Sequence, residues 1–216
     1  MMNKYNDERK SAETLLLRLI RQRAWKKIRK ILSFNPKLAK SRASPCSAHC
    51  TQLHSPLLLA CELSPPLDIV ESLLQFNSAA AFEADCEKKL PLHVACEYGA
   101  SPVVIQKLLE ANTDATMKKD IYGMLPIHKV CQSYLYNFDR YSSEKDPQYS
   151  LIETITILLN IQPIALLVDD HKEMNPIEYA LESNLSLAVI IILQKVSERE
   201  HLKKNLHKTG YFSRAA

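Results

Sequence analysis

The groups able to do nucleophilic, acid–base or metal chemistry in this chain are its six cysteines, seven histidines and 24 carboxylates, and their spacing sorts them. Cys46, His49, Cys50 and His54 place four soft ligands close together, enough to close around zinc, which takes sulfur and nitrogen in a tetrahedron. His49 and Cys50 are adjacent, however, and neighbouring side chains struggle to face one metal. A plain surface loop is the simpler reading and a zinc site the alternative. His93 and His128 invite a general-base role, but no Ser, Cys or carboxylate stands beside either in a nucleophile pattern. Cys61, Cys96 and Cys131 are evenly spaced, which suits small core residues better than reactive thiols. The chain has no P-loop and no dinucleotide fingerprint. No catalytic residue, no metal and no cofactor is therefore expected, and the chain reads as a non-enzyme.

The even spacing belongs to a longer pattern. LPLHVACEYG from Leu90 recurs 35 residues earlier as SPLLLACELS from Ser55 and 35 later as LPIHKVCQSY from Leu125, with Pro56, Pro91 and Pro126 in register. A proline there suits the first turn of a helix, where its missing N–H costs nothing. Leu57, Ala60 and Cys61, then Leu92, Ala95 and Cys96, then Ile127, Val130 and Cys131 form the inward stripe of a two-turn helix. A second helix carries Ile69-Val70 with Leu73-Leu74, and Val104-Ile105 with Leu108-Leu109. Gly99 marks the turn between the helices of the best copy. Asn77-Ser78 or Asn112-Thr113-Asp114 stops the second helix, and Asp85 or Asp120 follows in a polar finger. A helix pair of this size leaves one apolar side wet, so stacked neighbours must cover each other.

LPLHVAC and LPIHKVC resemble the T-P-L-H-x-A signature of the ankyrin repeat. SPLLLAC lacks the His, and Asn175-Pro176-Ile177-Glu178-Tyr179-Ala180 has Glu178 in its place. The likeness runs from about Ser11 to about Lys204. It implies an all-α ankyrin-repeat solenoid of about five stacked helix-turn-helix units with short finger loops. It also implies that His93 and His128 tie each unit to the neighbouring finger. Glycine occurs only at 99, 123 and 210, fewer than the family usually places, so longer or stiffer fingers are expected.

In chain order, 1–10 is a polar tail and 11–204 one domain. Its units lie near 11–42, 55–89, 90–124, 125–174 and 175–204, with a tail at 205–216. The first and last units are charged caps. In the fourth, Leu158-Leu159 comes 32 residues after Pro126 instead of 17. The excess is placed between the two helices at 134–149, a tyrosine-rich insertion holding Tyr134, Tyr136, Phe138, Tyr141 and Tyr149. Asn175 is an N-cap ahead of Pro176.

The composition, 46% apolar and 24% charged, is that of an ordinary soluble domain. The start carries charges and no apolar core of a secretion signal. The run Leu187 to Leu193 is too short to span a bilayer. Reduced thiols and a cytoplasmic or nuclear location are the expectation. The net charge of +4 divides into +10 for Met1 to Pro45, −10 for Cys46 to Gln194 and +4 for the remainder. The basic start, with Arg18, Arg21, Lys26, Lys27, Arg29 and Lys30, admits an alternative reading as a surface for nucleic acid or another anion. A solvated cap face accounts for it without a ligand, so nucleic acid is not the expected partner.

The acidic centre gives the sharper expectation. By helical register the first helices should expose Leu59, Val94, Lys129 and Tyr179 in one row, Glu62, Glu97, Gln132 and Glu182 in the next, then Leu63, Tyr98 and Ser133. The family likeness turns those rows towards a concave face. Carboxylates with apolar residues between them suit an extended partner carrying Lys or Arg and apolar anchors. The expected function is that of a protein–protein interaction module, an adaptor or scaffold, and a monomer, for another protein of unknown identity. Its contact residues are Glu62, Val94, Glu97, Tyr98, Lys129, Tyr179 and Glu182, with Ile121 and Tyr122 at a finger tip.

Overall fold

Proline opens a helix wherever the repeat puts it. The computed structural model describes residues 15–41, 55–141 and 147–208, and among these every regular element is helical. In order they are α1 (15–21), α2 (Trp25–Phe34), α3 (Pro56–Cys61), α4 (Leu67–Phe76), α5 (Pro91–Glu97), α6 (Pro102–Ala111), α7 (Pro126–Tyr141), α8 (Pro147–Ile161), α9 (Pro176–Glu182) and α10 (Leu187–Lys208). First helices pack on first helices, α3 on α5, α5 on α7 and α7 on α9. Second helices do the same, α2 on α4, α4 on α6 and α6 on α8. The inward stripe falls where the register put it: Leu57, Ala60, Cys61, Leu92, Ala95, Cys96, Ile127, Val130 and Cys131 are all buried in one continuous core. Burial pushes the Cys131 thiol up to about 12 and the Cys61 and Cys96 thiols up as well. All three therefore stay protonated and inert at neutral pH.

Each of four second helices runs on into a short 3-10 turn, Pro36–Lys40, Ser78–Phe82, Thr113–Met117 and Pro163–Leu167. Small alanines fill the turns, with Ala39, Ala80, Ala115 and Ala165 buried. The asparagines read as helix stops do more than stop. The Asn112 side chain donates to the Ala81 carbonyl at 2.9 Å, and that of Asn77 to the Ala39 carbonyl at 3.3 Å, so each is bonded to the turn of the preceding unit.

The fingers are hairpin turns built on aspartate. Asp85 Oδ1 accepts from the N–H groups of Glu87 and Lys89, Asp120 Oδ1 from those of Tyr122 and Met124, and Asp170 Oδ1 from those of Lys172 and Met174. Adjacent fingers join through the backbone, Ile121 N–H to the Glu87 carbonyl at 2.9 Å and His171 N–H to the Tyr122 carbonyl at 3.0 Å. Of the longer or stiffer fingers expected from scarce glycine, the longer ones are not found, each turn closing over five residues, Asp85 to Lys89, Asp120 to Met124 and Asp170 to Met174. Lys88 (φ 59°) and Glu173 (φ 61°) occupy the left-handed place that Gly123 (φ 79°) holds between them. A non-glycine residue gives up about 1–2 kcal/mol to sit there. Gly123 itself has no latitude, because a Cβ would lie 2.6 Å from His171 Cδ2.

The expected loop at 134–149 is also corrected. α7 has 16 residues where α5 has 7, and α8 has 15 where α6 has 10. The extra chain continues both helices, and 142–146 lie outside the described residues. Where the other pairs turn through a left-handed residue, Ser64, Gly99 or Asn184, α7 carries on. The cysteine–histidine segment Cys46 to His54 lies outside the described residues. Among the described residues no helix is long and apolar enough to cross a membrane, and no cluster of His, Cys, Asp and Glu could hold a metal.

Candidate partner-binding face

Short first helices decide which side chains meet solvent. α3 and α5 are 6 and 7 residues long, so their last turn lies beside the fingers and positions three residues apart face different surroundings. The row Leu59, Val94, Lys129, Tyr179, expected to be exposed, is covered: Val94 is 3% exposed, Lys129 4% and Tyr179 2%. These residues cannot supply direct contact. Leu59 and Val94 belong to the apolar core, and Lys129 and Tyr179 are held in by a nine-residue contact from finger to helix, which register alone does not reveal. Tyr179 donates its hydroxyl to Asp170 Oδ2 at 2.7 Å, and Lys129 Nζ stands 3.0 Å from Asp120 Oδ2.

The aspartates respond to what meets them. Burial works against the Asp170 carboxylate, but the Tyr179 hydroxyl and two backbone N–H groups outweigh it and lower its pKa; burial and Asp170 together raise that of Tyr179. Val94 brings no polar group to the third member, and burial holds the Asp85 pKa above its ordinary value against the N–H bonds from Lys89 and Glu87.

The next row is open. Glu62, Glu97, Leu63 and Tyr98 are half-buried, and Gln132 and Glu182 are exposed. Hydroxyls tie the helix ends together, Ser64 Oγ donating to the Tyr98 carbonyl at 3.1 Å and Ser183 Oγ to the Gln132 carbonyl at 3.1 Å. Beside them Lys89 Nζ bridges Glu87 Oε2 and Glu97 Oε2, both at 2.8 Å. Burial disfavours that ammonium, yet its bonds to Glu87 and Glu97 prevail and its pKa stands above the usual value. Glu62 receives less help. Its pKa is pushed up to about 7, first by burial and then by the Asp85 carboxylate, with Arg21 and Lys89 opposing and Glu97 adding to the rise.

The finger tip continues this surface. Ile121 and Tyr122 are exposed, 39% and 48%, and Lys129 Nζ lies 5.6 Å from the centre of the Tyr122 ring, within cation–π range. Glu62, Glu97, Tyr98, Ile121, Tyr122 and Glu182 are thus reachable from solvent. Asp85, Glu87 and Lys89 join them, although the register argument left them out. The signal was present in the matched spacing of Asp85 and Asp120, which marks the finger as a repeated element with side chains of its own.

His93 and His128 are wholly buried and bonded at both nitrogens. Leu90 N–H donates to His93 Nδ1 at 3.2 Å and Leu125 N–H to His128 Nδ1 at 3.0 Å. Nε2 then carries the hydrogen, donated to the Lys118 carbonyl at 2.9 Å and the Val168 carbonyl at 3.0 Å. Glu178 plays half this part in the last unit, its Oε2 accepting from Asn175 N–H at 2.7 Å while Asn175 Oδ1 caps Ile177 and Glu178 N–H. Of the basic residues near the start, Arg29 is engaged with Asp68. No family model matches the sequence, and no curated protein matches it.

Proposed function

We propose that this chain is an ankyrin-type repeat module, without catalytic activity, whose finger tips and first-helix ends bind a segment of another protein carrying Lys or Arg beside an apolar side chain. The carrying observation is an open surface on which the half-buried carboxylates Glu62, Asp85 and Glu97 share a face with the exposed Ile121–Tyr122 tip, and burial and the Asp85 carboxylate push Glu62 up to about 7. A group kept where its own charge is disfavoured lowers stability for no structural return, and such groups cluster at functional sites. A cation from a partner supplies the missing counter-charge. Tyr98, Ile121 and Tyr122 offer apolar contact next to it, and Glu97 and Glu182 extend the negative potential that guides encounter and register. The stacked helix pairs, the aspartate-built fingers and the two-ended histidine bonds support the ankyrin-type assignment.

Glu62→Gln separates this reading from a purely structural one. The folded pKa lies above the ordinary 4.5, so the folded state holds the extra proton and stability falls as pH rises through this window. The variant should therefore be more stable than the parent by about 2–3 kcal/mol at pH 8, a gain that vanishes near pH 4.5. In a binding assay against an array of Lys- and Arg-containing peptides with Leu or Tyr anchors, it should bind about tenfold more weakly at pH 8. Tighter folding with unchanged affinity for every bound peptide would reject the face.

A further inference from the structure

A second surface has the opposite chemistry. Between the turns Ser78–Phe82 and Thr113–Met117 lies a groove of about 320 Å³ lined by Phe82, Leu90, Asp114, Lys88, Lys118 and Lys119, with buried Asn112 behind them. Its size is at the lower end for sites that enclose a ligand, enough for one or two side chains. Phe82 is 61% exposed although its neighbours Ala80 and Ala81 are buried. Leu90, nearly covered, supplies apolar surface at the start of α5. Three ammonium groups stand around this surface against the single carboxylate of Asp114.

Lys89, Lys107, Lys129 and Lys203 are taken up in ion pairs. Lys119 Nζ donates to the Asp169 carbonyl at 2.9 Å and is held in place by it. Lys88 and Lys118 are exposed and, among the described residues, in no ion pair. Other described lysines, Lys26, Lys37 and Lys172 among them, are also in no ion pair; what sets Lys88 and Lys118 apart is their place around an apolar groove. An excess of positive charge on the rim of an apolar groove attracts a carboxylate and leaves room for the apolar side chain next to it.

We propose that this groove docks an acidic segment of a partner protein, with an aromatic or leucine side chain against Phe82 and Leu90 and an Asp or Glu on either side meeting Lys88 and Lys118. The site shares no residue with the face around Glu62 and has the reverse charge preference, so the molecule would hold two differently charged segments at once. The inference does not rest on the function proposed for that face.

Fluorescence anisotropy on the full chain tests it with a labelled twelve-residue peptide of alternating Glu and Leu around a central Phe, in 50 mM and 300 mM salt. The peptide in which Lys replaces each Glu is the control. Saturable binding of the acidic peptide should weaken with salt and with charge reversal of the groove, whereas binding of the lysine peptide, which suits the Glu62 face, should be untouched by that reversal. Lys88→Glu with Lys118→Glu should raise Kd about tenfold or more, and Phe82→Ser about tenfold. Glu173 shows that a glutamate adopts the positive φ of position 88, and unchanged circular-dichroism melting verifies that the finger is kept. No saturable binding of the acidic peptide to the parent chain, an unaltered Kd of that peptide in the variants, an equal loss of lysine-peptide binding in Lys88→Glu with Lys118→Glu, or full competition by millimolar benzoate would each overturn the proposal. Binding explained by peptide-induced self-association in sedimentation would overturn it too.

Discussion

His93→Ala lowers the unfolding free energy by about 3–5 kcal/mol at pH 8, since it strands a buried N–H and a carbonyl at roughly 1–3 kcal/mol each and leaves a cavity. Both partners are main-chain groups at opposite ends of its own unit, Leu90 N–H at the mouth of α5 and the Lys118 carbonyl at the entry to the Asp120 finger, and alanine can satisfy neither. The loss has a pH signature. Burial lowers the His93 pKa to about 4, the Asp120 carboxylate acting against it, so the folded state keeps the ring neutral while the unfolded chain takes a proton near 6.5. Stability from the neutral ring is complete above 6.5 and disappears as pH falls towards 4, up to about 3 kcal/mol. Burial lowers His128 in the same direction. Urea unfolding at pH 8 and pH 5 should show the variant far below the parent at the first and much closer at the second. A difference under 1 kcal/mol at pH 8 would mean that His93 does not tie α5 to the finger. Glu62 titrates the other way through much of this window. The parent's own profile should thus be flatter than either variant's.

Lys129→Met is the second large effect. The Asp120 side chain has no exposed surface and the Lys129 side chain only 5%. Removing the ammonium leaves a buried carboxylate without its counter-charge, a change that costs about 3–5 kcal/mol. The energy comes chiefly from the stranded charge, so the partner can be replaced. Lys129→Tyr reproduces the Tyr179–Asp170 bond of the next unit and should recover at least half of the loss in chemical unfolding. Because Asp120 also fixes the N–H groups of Tyr122 and Met124, the methionine variant should loosen the Ile121–Tyr122 tip as well. Equal stability of parent and methionine variant would mean that the pair does not hold the finger.

These two residues mark where sequence reading worked and where it stopped. His93 was legible, since its position repeats with Pro91 and Cys96 and repetition at one helical site signals packing. Lys129 was not. Helical register places it on an outer face, and only a finger folding back over the helix covers it. The clue was the nine-residue spacing from Asp120 to Lys129, matched by Asp170 to Tyr179, a polar donor returning to its own finger. The same limit exchanged Val94 and Tyr179 for Asp85, Glu87 and Lys89 in the open face. The insertion was misplaced for another reason. Polar and aromatic residues at 134–149 suggest a loop, but nothing in Tyr134 to Tyr141 breaks a helix, and the chain simply goes on. Sparse glycine misled in turn, because Lys88 and Glu173 accept the strained backbone that Gly123 takes freely.

The most direct test of the binding face places a photo-crosslinking phenylalanine analogue at Tyr122 in the full chain, with the same group at Phe34 on α2 as control. Cross-linking is carried out in the source cell, and the attached segments are sequenced by mass spectrometry. The face described above predicts products specific to Tyr122 whose attached segment carries Lys or Arg within a few residues of an apolar side chain, and whose yield drops in Glu62→Gln. Products from Tyr122 that map to acidic or uncharged segments, or that survive Glu62→Gln undiminished, would contradict it.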